Sequence, residues 1–255
     1  MMMDTAYLDM EFFKTISNFI PTKWGGYYYN LDAPNYYDAN HAHVDSNEIN
    51  HDNIDEIFSF YASKKITPRI YFYGDNNQDY YREVCHSSNF SYRRSTDRLL
   101  FINTAENREL IQMSDGITIH HVKGDLCKEA IKLLSDIQEF GGEGIRESIL
   151  IKQMSNSNFY YYILKINGEP CSVASIFNMG KVARLEDVAT LEKFRGKGLI
   201  GELIDYIIFH LRRKGIDEVN VIPNNESSEG VYLKYGFQVK NEFITGYGLP
   251  ISKFV

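Results

Sequence analysis

The sequence predicts an α/β (α+β) fold, strands and helices packed about one mixed sheet per half, with two similar halves in tandem. Three observations carry this. Residues 182–237 read as strand, glycine-rich turn, helix, strand and short helix. Asn167-Gly168, a dipeptide suited to two consecutive residues with positive φ, separates two apolar runs and predicts a hairpin. The series helix, strand, short helix, aromatic residue and strand occurs at 54–102 and again from 204 onward.

Composition sets the frame. The chain has 255 residues, room for one large domain or two small ones. It is 44% hydrophobic and 24% charged, the balance of a globular protein that needs no lipid. A net charge of -7 disfavours wholesale binding to nucleic acid, and Arg212-Arg213-Lys214 reads as a solvated helix end. Three scattered cysteines, Cys85, Cys127 and Cys171, form no C-x-x-C pair and no even disulfide set. A reducing, cytoplasmic setting is expected. Asp4, Asp9, Glu11 and Lys14 interrupt the first residues, so neither a signal peptide nor a membrane span is expected there.

Taken in order, Leu8, Phe12, Ile16 and Ile20 predict an amphipathic helix over 4–20, closed by Pro21. Residues 24–29 and 36–44 are aromatic and extended. Within the second lies His41-Ala42-His43-Val44-Asp45, where alternation puts both histidines and the aspartate on one strand face. Such a triplet can begin a metallo-hydrolase signature, but Ser46 stands where a further histidine is needed. No metal site is assigned. Ile54, Ile57, Phe58 and Tyr61 stripe a helix, a strand follows at 69–73, and Tyr81, Val84 and Cys85 mark a second helix before a strand near 99–102.

Comparison with the C-terminal half is suggestive. Ile54-Asp55, Lys64 and Ile66 lie 150 residues before Ile204-Asp205, Lys214 and Ile216, and Phe90 lies 147 before Phe237. We read an internal duplication whose first copy lacks the glycine-rich turn and has Cys85 near the place of Tyr232. The boundary is set at 114/115, before the turn signal Asp115-Gly116. The second half then gives a strand at Ile117 and Ile119 and a helix through Ala130 and Leu134, ended by Gly141-Gly142. A helix at 146–154, the hairpin 160–177, the central strand, the turn and its helix, a strand at 219–222, a short helix and final strands at 238–240 and 243–248 follow.

The turn Arg195-Gly196-Lys197-Gly198-Leu199-Ile200-Gly201 opens the helix bearing Leu203, Ile204, Ile207, Ile208 and Leu211. Helix N-termini carry N–H groups without intrahelical partners and a positive dipole end, so a glycine turn there suits a pyrophosphate. Gly196, Gly198 and Gly201 also spell the dinucleotide pattern G-x-G-x-x-G. That fold needs the strand to run straight into the first glycine and an acid to close the next strand. Here the connector Leu191-Glu192-Lys193-Phe194 intervenes and Ile222-Pro223 closes the strand.

The stretch resembles the GNAT superfamily of acyl-CoA-dependent N-acetyltransferases. Arg195 and Gly198, after Val188-Ala189-Thr190, fit its Arg/Gln-x-x-Gly-x-Gly/Ala signature, with Ile200 where glycine or alanine is usual. Asn225, Tyr232 and Gly236-Phe237 fit its second signature, with Ser228 replacing a frequent alanine. The resemblance covers about the last half of the chain. It implies a mostly antiparallel sheet flanked by helices, and acetyl-CoA as co-substrate for an amine acceptor. It implies coenzyme contacts from Val188, Ala189, Thr190, Arg195, Gly196, Lys197, Gly198, Leu199, Ile200, Gly201 and Asn225, and a role for Tyr232 beside the coenzyme sulfur. Glu186, two residues before Val188, is the candidate base, and Asp187 is expected to face the other way. The N-terminal half, residues 1–114, would be a degenerate copy that walls the acceptor cleft. A non-catalytic CoA-binding scaffold, or an aminoacyl or long-acyl transferase, would share these features.

Overall fold

The computed structural model describes residues 5–45, 48–74, 77–105, 113–140, 144 and 146–251. The chain forms two compact units, one of residues 1–97 with 242–255, the other of residues 98–241.

In the first unit, helix α1 (Thr5–Ile16) leads to strands β1 (Asn18–Thr22), β2 (Gly25–Tyr29) and β3 (His41–Val44). Helix α2 (His51–Ser63), β4 (Ile70–Tyr73), α3 (Gln78–Ser87) and the start of β5 (Phe90–Asn103) follow. The sheet runs β1-β2-β3-β4 and then the last strand of the chain, with β3 and β4 parallel and the other pairs antiparallel. Ile54, Ile57 and Tyr61 of α2 and Tyr81, Val84 and Cys85 of α3 bury against Ala42, Val44, Ile70 and Phe72. Pro21 sits inside edge strand β1 rather than closing the first helix. An edge strand tolerates a residue with no N–H to give, and the helix stops five residues earlier, at Ile16.

The second unit contains β6 (Ile117–His121), α4 (Leu126–Ser135), α5 (Glu147–Met154), β7 (Phe159–Ile166), β8 (Glu169–Met179) and β9 (Val182–Thr190). It continues with α6 (Leu199–Arg213), β10 (Glu218–Val221), α7 (Glu226–Lys234) and the start of β11 (Gln238–Pro250). Its strands order as β5-β10-β9-β8-β7-β6, antiparallel except for the parallel pair β9/β10. Asn167 and Gly168 both take positive φ, 49° and 85°, and close the β7–β8 hairpin as their dipeptide predicts. Leu203, Ile204, Ile207, Ile208 and Leu211 of α6 are buried on Leu164, Ala174, Ile176, Ala183 and Leu185. Each such side chain contributes about 2 kcal/mol. The Gly141-Gly142 helix stop lies outside the described residues. Cys85, Cys127 and Cys171 are free thiols.

The unit boundary differs from the one set at 114/115. Strand β5 runs through position 97 into the second unit, where its residues Leu100–Asn103 pair with β10. The final strand is likewise continuous: Asn241 and Glu242 interrupt the apolar alternation but lie within β11.

The duplication is visible in hydrogen bonds. At the end of α2, Lys64 and Ile66 N–H both donate to Tyr61 O. At the end of α6, Lys214 and Ile216 N–H both donate to Leu211 O, 150 residues later throughout. Lys65 and Gly215 hold the intervening positive φ. Helices α3 and α7 match at an offset of 147: Ser88 N–H donates to Cys85 O and Tyr235 N–H to Tyr232 O, followed by positive φ at Asn89 and Gly236. The N-terminal ends differ. Asn50 and Asn53 cap α2 reciprocally with their side chains, whereas α6 begins on Gly198 with no side-chain cap. The first copy has filled with its own side chains the donors that the second leaves at a glycine turn.

Candidate active site

Strand β9 loses its neighbours in a defined order. Its parallel ladder with β10 covers only Val182, Ala183 and Arg184, facing Glu218, Val219 and Asn220. Strand β10 then ends at Val221, while β9 continues to Thr190. On the other side, β8 pairs Ser175 with Glu186 and then Val173 with Ala189. Two residues of β9, Asp187 and Val188, thus oppose one residue of β8. This is a β-bulge, and Asp187 takes φ of 51° within it.

The bulge corrects the expectation for Asp187. Strict alternation would turn its carboxylate away from Glu186. Instead it reaches the side chain of Ser175, the register partner of Glu186. Asp187 is buried and receives Arg146 Nη2 at 2.5 Å on Oδ1, and Tyr161 OH and Ser175 Oγ at 3.0 Å each on Oδ2. Glu186 is ion-paired through Oε1 to Arg184 on the same strand.

Tyr232 lies on α7, buried against Phe237 with ring centroids 5.5 Å apart. Burial, and secondarily the negative charge of Glu186, push its phenol well above the ordinary tyrosine value. The structure therefore brings Tyr232 and Glu186 into electrostatic range of each other. At neutral pH this phenol is a hydrogen-bond donor.

The glycine turn forms as its sequence requires. Gly196 and Gly198 both adopt φ of 77°, and Gly198 is the N-cap of α6. Leu199 turns its side chain into the core, which leaves backbone rather than side chain at the helix mouth. Gly201 differs from its expected coenzyme role. Its N–H donates to Gly198 O at 2.9 Å, and a Cβ there would run into the Tyr235 ring. Its lack of a side chain serves close packing of α7 on α6. Thr190 Oγ1 pairs with Ser172 Oγ at 2.8 Å, and Thr190 O accepts from Arg195 Nε at 3.0 Å. Arg195 Nη2 meets Glu139 at 2.8 Å. A cavity of about 210 Å³ opens beside it, lined by Asp136, Ile137, Gln138, Glu139, Leu191, Glu192 and Arg195. Its three carboxylates make it a poor seat for an anion.

Asn225 fixes its local turn, one of the two roles its motif implies. Its Oδ1 accepts from Ser228 N–H at 2.9 Å and its N–H donates to Ser228 Oγ at 3.2 Å, a reciprocal cap on α7. This fixes the helix that carries Tyr232. Ser228, which looked like a departure, completes the cap. His41 and His43 share one buried face of β3 as alternation predicts. They pack among aromatic rings: Phe13 and Tyr28 on His41, Tyr71 and Tyr73 on His43.

Sequence reasoning missed Arg146, Tyr161, Ser175 and Glu139. A bulge leaves no periodic trace, and only the neighbouring pair Glu186-Asp187 hinted that one strand position was crowded with charge.

Residues 129–237 match the acetyltransferase (GNAT) family. No curated protein matches the chain. Among solved structures, a GCN5-related N-acetyltransferase from Kribbella flavida superposes with a TM-score of 0.70 at 13% identity, covering 98% of this chain and 97% of its own. A functionally unknown conserved protein from Staphylococcus epidermidis gives 0.70 at 13% identity, covering 93% and 95%. A tandem GNAT protein from the clavulanic acid biosynthesis pathway gives 0.52 at 11% identity, covering 77% and 68%. At such identities the likeness is one of fold, and that fold is two GNAT-like halves in one chain.

Proposed function

With residues 129–237 as a domain of the GNAT acetyltransferase family, we propose that the chain transfers an acetyl group from acetyl-CoA to a primary amine in the cytoplasm. The observation that carries this is the parting of β9 from β10 after Arg184, directly upstream of a glycine turn at a helix N-terminus. A backbone edge freed by lost pairing can take an extended ligand as a substitute strand. An anion-binding helix mouth at its end suits a coenzyme with a pantetheine arm and a pyrophosphate.

In this reading Val188 and Thr190 pair with pantetheine, with Ala189 between them. The N–H groups of Gly196, Lys197, Gly198, Leu199 and Ile200 surround the pyrophosphate, with Arg195 and Lys197 adding positive charge. The acceptor amine, whose pKa is about 10.4 when unperturbed, must lose a proton before it can attack. Glu186 takes that proton, directly or through water. The nitrogen lone pair then adds to the thioester carbon. The Val188 N–H, in the unpaired bulge, stabilises the oxyanion. Collapse breaks the C–S bond and releases the CoA thiolate, and the new amide nitrogen gives up its second proton to water. A thiol titrates near 8.5 and a phenol near 10, so full proton transfer from Tyr232 runs uphill, more so after its upward shift. Tyr232 therefore acts mainly by hydrogen-bonding the departing sulfur.

The test is titration calorimetry with CoA and acetyl-CoA, followed by thiol release over a panel of amines. Heat with both and turnover that depends on Tyr232 support the enzyme. Heat without turnover, unaffected by Tyr232→Phe, supports a CoA-binding scaffold. No heat with any acyl-CoA sinks both.

A further inference from the structure

The reading above gives the Val188 amide a task, and Val188 sits in the one stretch of β9 that no neighbouring strand holds. We propose that Asp187, Arg146 and Tyr161 are positioning residues that fix this amide from beneath, through the backbone of residue 187. The inference rests on the acyl-transfer reading and adds to it what aims the oxyanion donor.

The geometry is specific. Asp187 holds a left-handed φ of 51°, a conformation that aspartate tolerates better than most residues with a side chain. Support comes from three directions onto one carboxylate. Arg146 stands at the N-cap of α5, Tyr161 is on β7 and Ser175 on β8. Each of the four side chains is over nine-tenths buried. Tyr161 OH also lies 2.8 Å from the Gln153 amide of α5. The hydroxyl has one proton to give. With Gln153 Nε2 turned toward it, Gln153 donates to Tyr161 and Tyr161 donates to Asp187, and the otherwise unpartnered buried Nε2 is satisfied.

A buried ion pair is a costly way to hold a sheet together, since apolar side chains of equal volume often serve as well. What the network supplies that a methyl group cannot is direction. It pins one peptide plane in a conformation the chain would otherwise leave, and the next N–H is that of Val188. Because the carboxylate accepts on both oxygens, rotation of residue 187 breaks three hydrogen bonds together.

The test uses the full chain and acetyl-CoA labelled with carbon-13 at the thioester carbonyl. Wild type should move the carbonyl infrared band to lower frequency on binding, the mark of a polarised carbonyl. Asp187→Ala should lose that shift, and kcat should fall about tenfold or more while KM and the calorimetric affinity for CoA stay within about twofold. The double variant Arg146→Met with Asp187→Asn removes both charges but keeps a side chain that accepts hydrogen bonds and tolerates the left-handed backbone. It should recover most of the shift. If Asp187→Ala does not fold, Tyr161→Phe is read by the same three measurements and should lose part of the shift. A folded Asp187→Ala protein with the wild-type band and kcat overturns the inference alone. Wild-type chain that binds CoA yet leaves the carbonyl band unmoved overturns the role of Val188 and this inference with it. Wild-type chain that gives no heat with CoA overturns the coenzyme reading itself.

Discussion

Acid should destabilise the first unit through two buried histidines, and the share of one of them follows from its shift. His43 is fully buried on β3, and neither ring nitrogen has a hydrogen-bond partner. Burial lowers its pKa from 6.5 to about 4. Its neighbour His41 falls further, to about 3, through burial and then the repulsion of His43 and Arg69, partly offset by backbone hydrogen bonds. A depressed histidine pKa means that the unfolded chain binds the proton more readily than the folded one. Stability is therefore intact above pH 6.5, falls as pH drops below it, and levels off below about 4. For His43 alone the loss is about 2 kcal/mol at pH 5 and about 3 kcal/mol once pH passes the folded pKa. Urea melts at pH 7.5 and pH 5 measure it, read from Trp24. That is the sole tryptophan of the chain, and it is buried in the core of the same unit. With m of about 2 kcal/mol/M the His43 share is a midpoint change of roughly 1 M. His43→Leu should remove this share while leaving the contributions of His41 and the carboxylates. If wild type and His43→Leu lose the same stability between pH 7.5 and pH 5, then His43 is not held neutral and the assignment of a dry histidine face is wrong.

Four further outcomes follow from the second unit. Tyr232→Phe should lower kcat about 10- to 100-fold in the thiol-release assay with little change in KM, since it removes a hydrogen bond that forms as the sulfur leaves. Glu139→Gln should tighten CoA about twofold to fivefold by calorimetry, because Glu139 competes with the coenzyme for Arg195; the gain should shrink at high salt. Gly201→Ala should cost about 1–3 kcal/mol in thermal melts by driving a methyl into Tyr235, and Asn225→Ala about 1 kcal/mol by removing the α7 cap, with CoA affinity changed less by the second than by the first.

What the sequence revealed and what it hid divide along physical lines. Features set by local covalent geometry were legible. Asn167-Gly168 gives a tight hairpin, Gly196 and Gly198 give the turn, and the α6 stripe gives its buried face. Features set by which strand lies next to which were not. The boundary at 114/115 failed because a polar loop marks a change of element, while the units divide within β5, a strand with no break in its sequence. Glu186 and Asp187 were assigned opposite faces because period-two alternation assumes an unbroken ladder. One extra residue in β9 cancels that assumption, and no neighbouring letter announces it. Asn225, at the right spacing to Tyr232, could serve either the coenzyme arm or the local turn. The same spacing equally serves a helix cap that holds Tyr232 in place.

That last point bears on how the two halves diverged. They keep the same helix C-termini to the hydrogen bond, at Tyr61 and Leu211, because a helix end packed on a sheet needs its final carbonyls satisfied whatever the protein does. They differ at the N-termini, where satisfaction can come from inside or outside. Asn50 and Asn53 close α2 on itself. Helix α6 starts on a glycine with no side chain to offer. Cys85 on α3 stands 147 residues before Tyr232 and is fully buried in the core of its own unit.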